Sequence, residues 1–334
     1  MLHLQLLRNT LHFTRGERLL LLNSAYDPIV EDASRKGVTI VLAEDSIAAM
    51  QAASKLSGKS LQHFAFHNYV LHAPPSTMDS AVLNLLYQPN NAWMFYAVQL
   101  AYYALRPGGK LYVVGAKDRG VLSVGKRMQE RFGNLETLEI SKGQRVLSAQ
   151  KKQVELTESD RAALLQPLQI FADNKLDEGT RLLIEALEIN ESDKALDLGC
   201  GAGFVGLHIA RRATQGQVTM VDVSLAAVDA TREAVEQSGL HNMQVLPSDG
   251  TQAVAGQQFD LVATNPPFHM GGIQTSEIAE RFMRETAQIL RPGGHFYLVA
   301  NRFLKYEPAM QAHFSQVEEV AGNTRYKVLR AHTA

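Results

Sequence analysis

Ala195-Leu-Asp-Leu-Gly-Cys-Gly-Ala-Gly203 is a short apolar run that ends in three glycines spaced by two, and a helical pattern over 204–212 follows it directly. Such a loop lets backbone approach a ligand closely, and the free N–H groups of the helix start favour an anionic group. The spacing G-x-G-x-G differs from the dinucleotide pattern G-x-G-x-x-G, so the loop alone marks only a strand-to-helix turn and a candidate cradle. Acids at three strand ends add to it. Asp222 closes the run 217–221, where an acid takes both hydroxyls of a ribose. Asp249 ends the next run and suits an adenine amine, while Asp197, just ahead of the glycines, can orient the loop or take an amino group.

The fourth apolar run, 259–264, ends in Asn265-Pro-Pro-Phe268. An Asn carbonyl and the next backbone carbonyl can together accept both hydrogens of one planar amine. Each proline locks φ and lacks an N–H, so the acceptors are stiff and no backbone donor competes with a substrate amine. Phe268 offers a ring face for stacking. Held this way, an amine nitrogen aims its lone pair at an electrophile on the far side.

Together these residues resemble the signature of class I S-adenosylmethionine-dependent methyltransferases, and the N-P-P-[FY] tetrad resembles their amino-methylating branch. More closely, Asn265-Pro-Pro-Phe-His269, Leu298-Val-Ala-Asn-Arg-Phe-Leu304 and Tyr326-Lys-Val-Leu-Arg-Ala331 resemble the bacterial ribosomal RNA guanine-N2 methyltransferases. The "methyltransferase C" type, which acts on the small ribosomal subunit, is the better match, and the "methyltransferase G" type, which acts on the large one, is close behind. The resemblance covers nearly the whole chain. It implies S-adenosylmethionine held by Asp197, Gly199, Cys200, Gly201, Gly203, Asp222, Val223, Asp249, Gly250 and Asn265. It implies catalysis by Asn265, Pro266, Pro267 and Phe268, substrate contacts from Phe268, His269 and Arg302, and methylation of an N2 amine in 16S rRNA. The base must then be unpaired or flipped out.

A shift of 185 residues superposes Leu105-Arg-Pro-Gly-Gly-Lys-Leu-Tyr-Val-Val114 on Leu290-Arg-Pro-Gly-Gly-His-Phe-Tyr-Leu-Val299, each reading as helix end, turn and strand. Met78-Asp-Ser-Ala-Val-Leu-Asn84 likewise parallels Phe259-Asp-Leu-Val-Ala-Thr-Asn265. The chain therefore reads as an α/β duplication: two tandem Rossmann-like domains over 1–150 and 151–334, each a mostly parallel sheet with a C-terminal antiparallel hairpin. In the second half, strands are expected at 194–198, 217–221, 243–246, 259–264 and 295–300, with 151–175 as the connection. Gly179 and Thr180 are expected to close over the donor's amino-acid end. In the first copy Asn23-Ser-Ala-Tyr-Asp27 replaces the glycine loop and Asn84-Leu-Leu-Tyr87 replaces the proline turn. That copy is expected to be non-catalytic and to bind RNA or support its partner domain.

At 334 residues and 46% hydrophobic content, the chain can bury two ordinary cores. Its single cysteine, Cys200, excludes an internal disulfide and fits a reducing compartment. No run approaches the ~18 apolar residues of a membrane span, which points to the cytosol. Residues 1–150 hold 16 Lys and Arg against 11 Asp and Glu, while the remainder holds 17 against 23. A positive half suits a phosphate backbone; Lys117 with Arg119, Lys126 with Arg127, Arg131, and Lys142 with Arg145 are the candidate contacts. Ribosomal RNA or the small ribosomal subunit is the expected partner, and the protein is expected to be a monomer with an internal pseudo-dimer. His63, His67 and His72 lack an accompanying acid or cysteine cluster, so no metal is expected. Rival readings are an adenine-N6 or protein-glutamine methyltransferase, a nicotinamide-dependent dehydrogenase, and a non-enzymatic assembly factor.

Overall fold

A computed structural model describes residues 2–57, 61–152, 156–166, 168, 176–267 and 275–333. Its internal contacts divide the chain into two units, Met1–Leu168 and Gln169–Ala334. The first contains strands β1 (Arg18–Leu22), β2 (Thr39–Ala43), β3 (Leu61–Phe64), β4 (Met78–Asn84), β5 (Leu105–Ala116), β6 (Glu136–Ser141) and β7 (Gln144–Gln150). Its helices are α1 (Leu2–Thr10), α2 (Ile29–Arg35), α3 (Ile47–Ser57), α4 (Tyr69–His72), α5 (Asn91–Ala104), α6 (Val121–Phe132) and α7 (Glu158–Leu164). The second contains β8 (Lys194–Leu198), β9 (Gln217–Asp222), β10 (Met243–Pro247), β11 (Phe259–Thr264), β12 (Leu290–Asn301), β13 (Gln316–Gly322) and β14 (Tyr326–His332). Its helices are α8 (Glu178–Ala186), α9 (Phe204–Ala210), α10 (Leu225–Ser238), α11 (Thr275–Ile289) and α12 (Glu307–Gln311).

The two sheets have one topology, β3-β2-β1-β4-β5-β7-β6 and β10-β9-β8-β11-β12-β14-β13. The first five strands of each are parallel; the last two form an antiparallel hairpin on the fifth. This is the expected duplication. The central strands are apolar on both faces because helices cover both, so Leu19 to Leu22 are all buried, as are Val262 and Ala263. The likeness reaches single bonds. Asp79 accepts from the Arg18 N–H at 2.7 Å and pairs with Arg106, while Asp260 accepts from the Lys194 N–H at 2.9 Å and pairs with Arg291.

Two details differ from expectation. The Pro-Gly-Gly segments lie inside β5 and β12, where the register with β4 and β11 shifts, so each is a bulge in a long strand rather than a turn before a short one. The domain boundary, expected after 150, falls after Leu168 in the contacts. Lys151 is buried in the first unit, where Nζ donates to the Leu105 carbonyl at 2.7 Å and to Ser76 at 3.2 Å, and burial lowers its pKa to about 8. Helix α7 also packs there, with Arg131 on Asp160 at 2.6 Å and the Tyr96 hydroxyl on the Leu164 carbonyl at 3.2 Å.

Each strand order reverses beside the first strand, at β1/β4 and at β8/β11, and ligands of open α/β sheets sit at such a point. In the first unit this point is closed by its own side chains. Asn23 takes a left-handed φ of 44° and its Oδ1 accepts from the Asp45 N–H. Glu44 braces the loop, accepting from the Ala25 and Ser46 N–H groups, each at 3.0 Å, and burial raises its pKa to about 7. Buried Asp27 accepts from the Asn84 amide at 2.7 Å. Replacing Asp27 with Ala leaves that amide buried without an acceptor. We expect a loss of about 1–3 kcal/mol, read from the first unit's transition in chemical denaturation.

Candidate active site

In the second unit the same position stays open. β8 runs into the loop 199–203, whose three glycines all take positive φ, and a Cβ placed on Gly201 would meet nothing within 4 Å. The loop is tied to β9 because the Gly199 and Cys200 N–H groups both donate to the Val221 carbonyl, at 2.9 and 3.0 Å. Asp222 binds it from the other side, with Oδ2 accepting from the Gly201 N–H at 2.8 Å and Oδ1 from the Ser224 N–H at 2.9 Å. Both oxygens keep lone pairs for further donors. Burial raises the Asp222 pKa. The glycine at 203 answers a packing need, since a Cβ there would lie 2.9 Å from Thr231, whose hydroxyl donates to the Gly201 carbonyl at 2.8 Å. Thr231 carries no sequence signal of its own; it reads as one more helical residue.

Asp197 is buried and its Oδ2 accepts from the Gly206 N–H in α9 at 2.8 Å. Burial, outweighing that bond, raises its pKa to about 7, and the Asp222 charge adds to the rise. Cys200 is buried beside Thr231, and burial raises its thiol pKa, so it is a packing residue of the loop. Val223 follows Asp222 at the end of β9 and is partly exposed. Gly250, with φ 59°, lies against Glu285 of α11, which accepts from the Thr251 N–H at 3.0 Å. Asp249, expected to be open to an adenine amine, is paired with Arg281 of α11 at 2.7 Å. Arg281 and Glu285 come from a helix that sequence spacing does not connect to Asp249.

Asn265 follows β11, and its amide is oriented by a relay. Asp177, at the N-cap of α8, accepts from the Thr180 N–H at 3.0 Å and from the Thr180 hydroxyl at 2.6 Å. The hydroxyl proton is thereby committed, and the Thr180 oxygen accepts from Asn265 Nδ2 at 2.8 Å, with Asp177 Oδ2 at 3.5 Å from the same nitrogen. Because both partners accept, the amide nitrogen must face them. Asn265 Oδ1 then points away, buried and without a hydrogen-bond partner among the described residues. Thr180, expected to close over the donor, thus meets Asn265. Pro266 is buried and Pro267 partly so. Phe268 and His269 lie outside the described residues.

The first unit supplies the control. Its Asn84 also donates through Nδ2 to an acid, Asp27, but its Oδ1 accepts from the Leu86 N–H at 3.0 Å. Leu86 stands two residues after Asn84 as Pro267 stands two after Asn265. Proline has no N–H, so that bond cannot form in the second unit. Arg302, expected near the substrate, is engaged elsewhere: it donates to the Asn323 carbonyl at 2.6 Å and pairs with Glu319 at 2.8 Å, which ties β12 to the β13–β14 hairpin. Of the three spaced histidines, His63 contacts the Glu44 carbonyl at 3.1 Å, and no group of three metal-ligating side chains occurs among the described residues.

Residues 161–330 match the family described as Methyltransferase small domain. The ribosomal RNA small subunit methyltransferase C of Pseudomonas entomophila is 33% identical over 77% of this chain and 80% of its own length. The protein of the same name from Shewanella loihica is 28% identical over 97% of this chain and 96% of its own length. Among solved structures, a T. thermophilus 16S rRNA N2 methyltransferase in complex with AdoMet and guanosine has a TM-score of 0.83 at 29% identity, covering 100% of this chain and 92% of that one. These matches agree with a glycine cradle at the strand-order reversal, and the chain belongs to the ribosomal RNA small subunit methyltransferase C family.

Proposed function

We propose that this protein transfers a methyl group from S-adenosylmethionine to the exocyclic N2 amine of a guanine in 16S rRNA, with the second unit as the catalytic one. The observation that carries the proposal is Asn265 Oδ1, a buried acceptor with no partner among the described residues, next to an open glycine cradle. A buried acceptor left unmade is costly, so it fits a donor brought by the substrate. The T. thermophilus N2 methyltransferase, solved with AdoMet and guanosine, supports the same reading.

The residues present suit the donor molecule. Asp222 keeps lone pairs for ribose hydroxyls, and the open face of Gly201 admits backbone contact. When bound, that ligand supplies a methyl group on a sulfonium. Asn265 Oδ1 accepts one hydrogen of the guanine amine and the Pro266 carbonyl accepts the other, which draws the nitrogen lone pair out of conjugation with the ring and leaves it to face the methyl carbon. The new N–C bond forms as the S–C bond breaks, and the surplus proton leaves to water. No general base is needed, because alkylation makes the amine acidic; the protein contributes proximity and orientation. Phe268 is assigned to stacking on the base and His269 to a base or phosphate contact. A ribosomal RNA substrate places the work in the cytoplasm, and no helix among the described residues is long and apolar enough to cross a membrane.

Three measurements test these assignments. Asn265→Ala should lower kcat by about 10²-fold, the scale of a misplaced reacting group, with donor affinity by calorimetry retained; retained methylation of 16S rRNA would overturn the proposal. Pro267→Ala restores an N–H like that of Leu86 and should cost kcat with little change in donor affinity. Thr180→Val should lower kcat about tenfold, Thr180→Ser should restore it, and Thr180→Val should add nothing to Asn265→Ala, since both act through one amide.

Asp197 sets a pH dependence. Its folded pKa of about 7 lies above the ordinary 3.8, so between those values the folded protein keeps a proton that the unfolded chain has lost. Its contribution to stability therefore falls as pH rises through this window and levels off above 7. Asp197→Asn keeps an acceptor for Gly206 and does not titrate. The melting-temperature advantage of the variant should grow from pH 5 to pH 8, and a constant difference would refute the assignment.

A further inference from the structure

The closed edge of the first unit has an open flank. A cavity of about 160 Å³ lies among the start of α1, the end of β4 and the end of β5, lined by His3, Leu86, Gly115, Asp118, Arg119 and Gln144. This is smaller than the ~300 Å³ at which sites for drug-sized ligands begin, and suits a single base. His3 Nε2 is buried there without a hydrogen-bond partner among the described residues. The edge also concentrates charge. The Lys117 N–H donates to the Gly143 carbonyl at 3.2 Å and Ala116 pairs with Gln144, which brings the hairpin residue Lys142 alongside Lys117 and Arg119.

Lys117, Arg119 and Lys142 are exposed, and among the described residues none of them is ion-paired. The other basic groups of this half that were candidates are engaged or turned away. Lys126 and Arg127 pair with Glu130, and Arg131 pairs with Asp160. Arg145 follows Gln144 along β7 and so projects from the opposite face of the sheet. Three unpaired cations held on one edge create a local positive potential, which draws phosphates. Asp118 is the one acid among the lining residues, and with Gln144 and His3 it offers hydrogen-bonding groups to a base edge rather than to a second phosphate.

We propose that this edge binds a single-stranded segment of the ribosomal RNA: Lys117, Arg119 and Lys142 hold successive phosphates, and the cavity takes one unpaired base over Leu86, between His3 and Gln144. The choice of RNA as ligand rests on the proposed function; the location rests on the charge and the cavity. The degenerate copy thus keeps a binding role at the edge where it lost the donor site.

The test is binding of transcribed 16S rRNA across a salt series. The triple variant Lys117→Gln, Arg119→Gln, Lys142→Asn uses Asn at 142 because that residue has φ 45°, which Asn tolerates. Each lost phosphate contact should lower the slope of log affinity against log salt by about 0.7–0.9, or about five- to eightfold in affinity at 0.1 M salt. The double variant His3→Ala, Gln144→Ala should weaken binding with the slope unchanged. The first unit's transition in chemical denaturation, measured on the same proteins, should stay at the wild-type midpoint and so report intact folding. A triple variant with wild-type slope and affinity overturns the inference. A wild-type protein that binds the RNA through this edge but transfers no methyl group overturns the proposed function and leaves the inference standing.

Discussion

The side-chain carbonyl of Asn265, without a partner among the described residues, is the constraint on which the second unit turns. An amide side chain can rotate its oxygen and nitrogen with little penalty unless its surroundings tell them apart. Here they do. Asp177 accepts only, and by accepting the Thr180 hydroxyl hydrogen it leaves the Thr180 oxygen as an acceptor as well, so Asn265 must present its nitrogen to them and turn its oxygen away. The N-terminus of α8 therefore contributes to a site whose recognisable residues all lie on or after β8.

Duplication supplies a comparison that a lone domain would lack. At equivalent positions the first unit keeps the architecture and fills the loop with its own side-chain contacts. Glu44 braces its loop as Asp222 does, Asn23 takes the left-handed turn of Gly199, and Asn84 is saturated by Asp27 and the Leu86 N–H. The difference between the Oδ1 of Asn84 and that of Asn265 comes down to one backbone donor, present at Leu86 and absent at Pro267. A self-satisfied edge stabilises its unit. An edge with a free acceptor and an acid whose pKa is raised to about 7 carries a cost that ligands can offset.

Electrostatics separates the halves in the same sense. Three acids of the second unit, Asp197, Asp222 and Asp249, stand at the carboxyl ends of its strands, and three exposed cations of the first, Lys117, Arg119 and Lys142, stand at the same edge of its own sheet. Net charge by itself did not identify those cations. Lys126, Arg127 and Arg131 looked equivalent to Lys117 and Arg119 along the chain, yet Lys126 and Arg127 share Glu130 on the same helix and Arg131 pairs with Asp160.

Much of this was legible from residue order. The repeated Arg-Pro-Gly-Gly strands, the glycine loop and the acids at successive strand ends determine two doubly wound units with one topology, because apolar runs of that length between helical stretches can be buried only as parallel strands. The missing N–H of Pro267 was also readable, since it is covalent chemistry. What remained hidden were partners far apart in sequence: Thr180 on Asn265, Thr231 under Gly203, Arg281 on Asp249, and the hairpin that occupies Arg302. The chain by itself determined which groups could do the chemistry. Only the tertiary structure decided which are free to do it, because a donor or acceptor is free or engaged according to neighbours that packing, not sequence spacing, brings within hydrogen-bond distance.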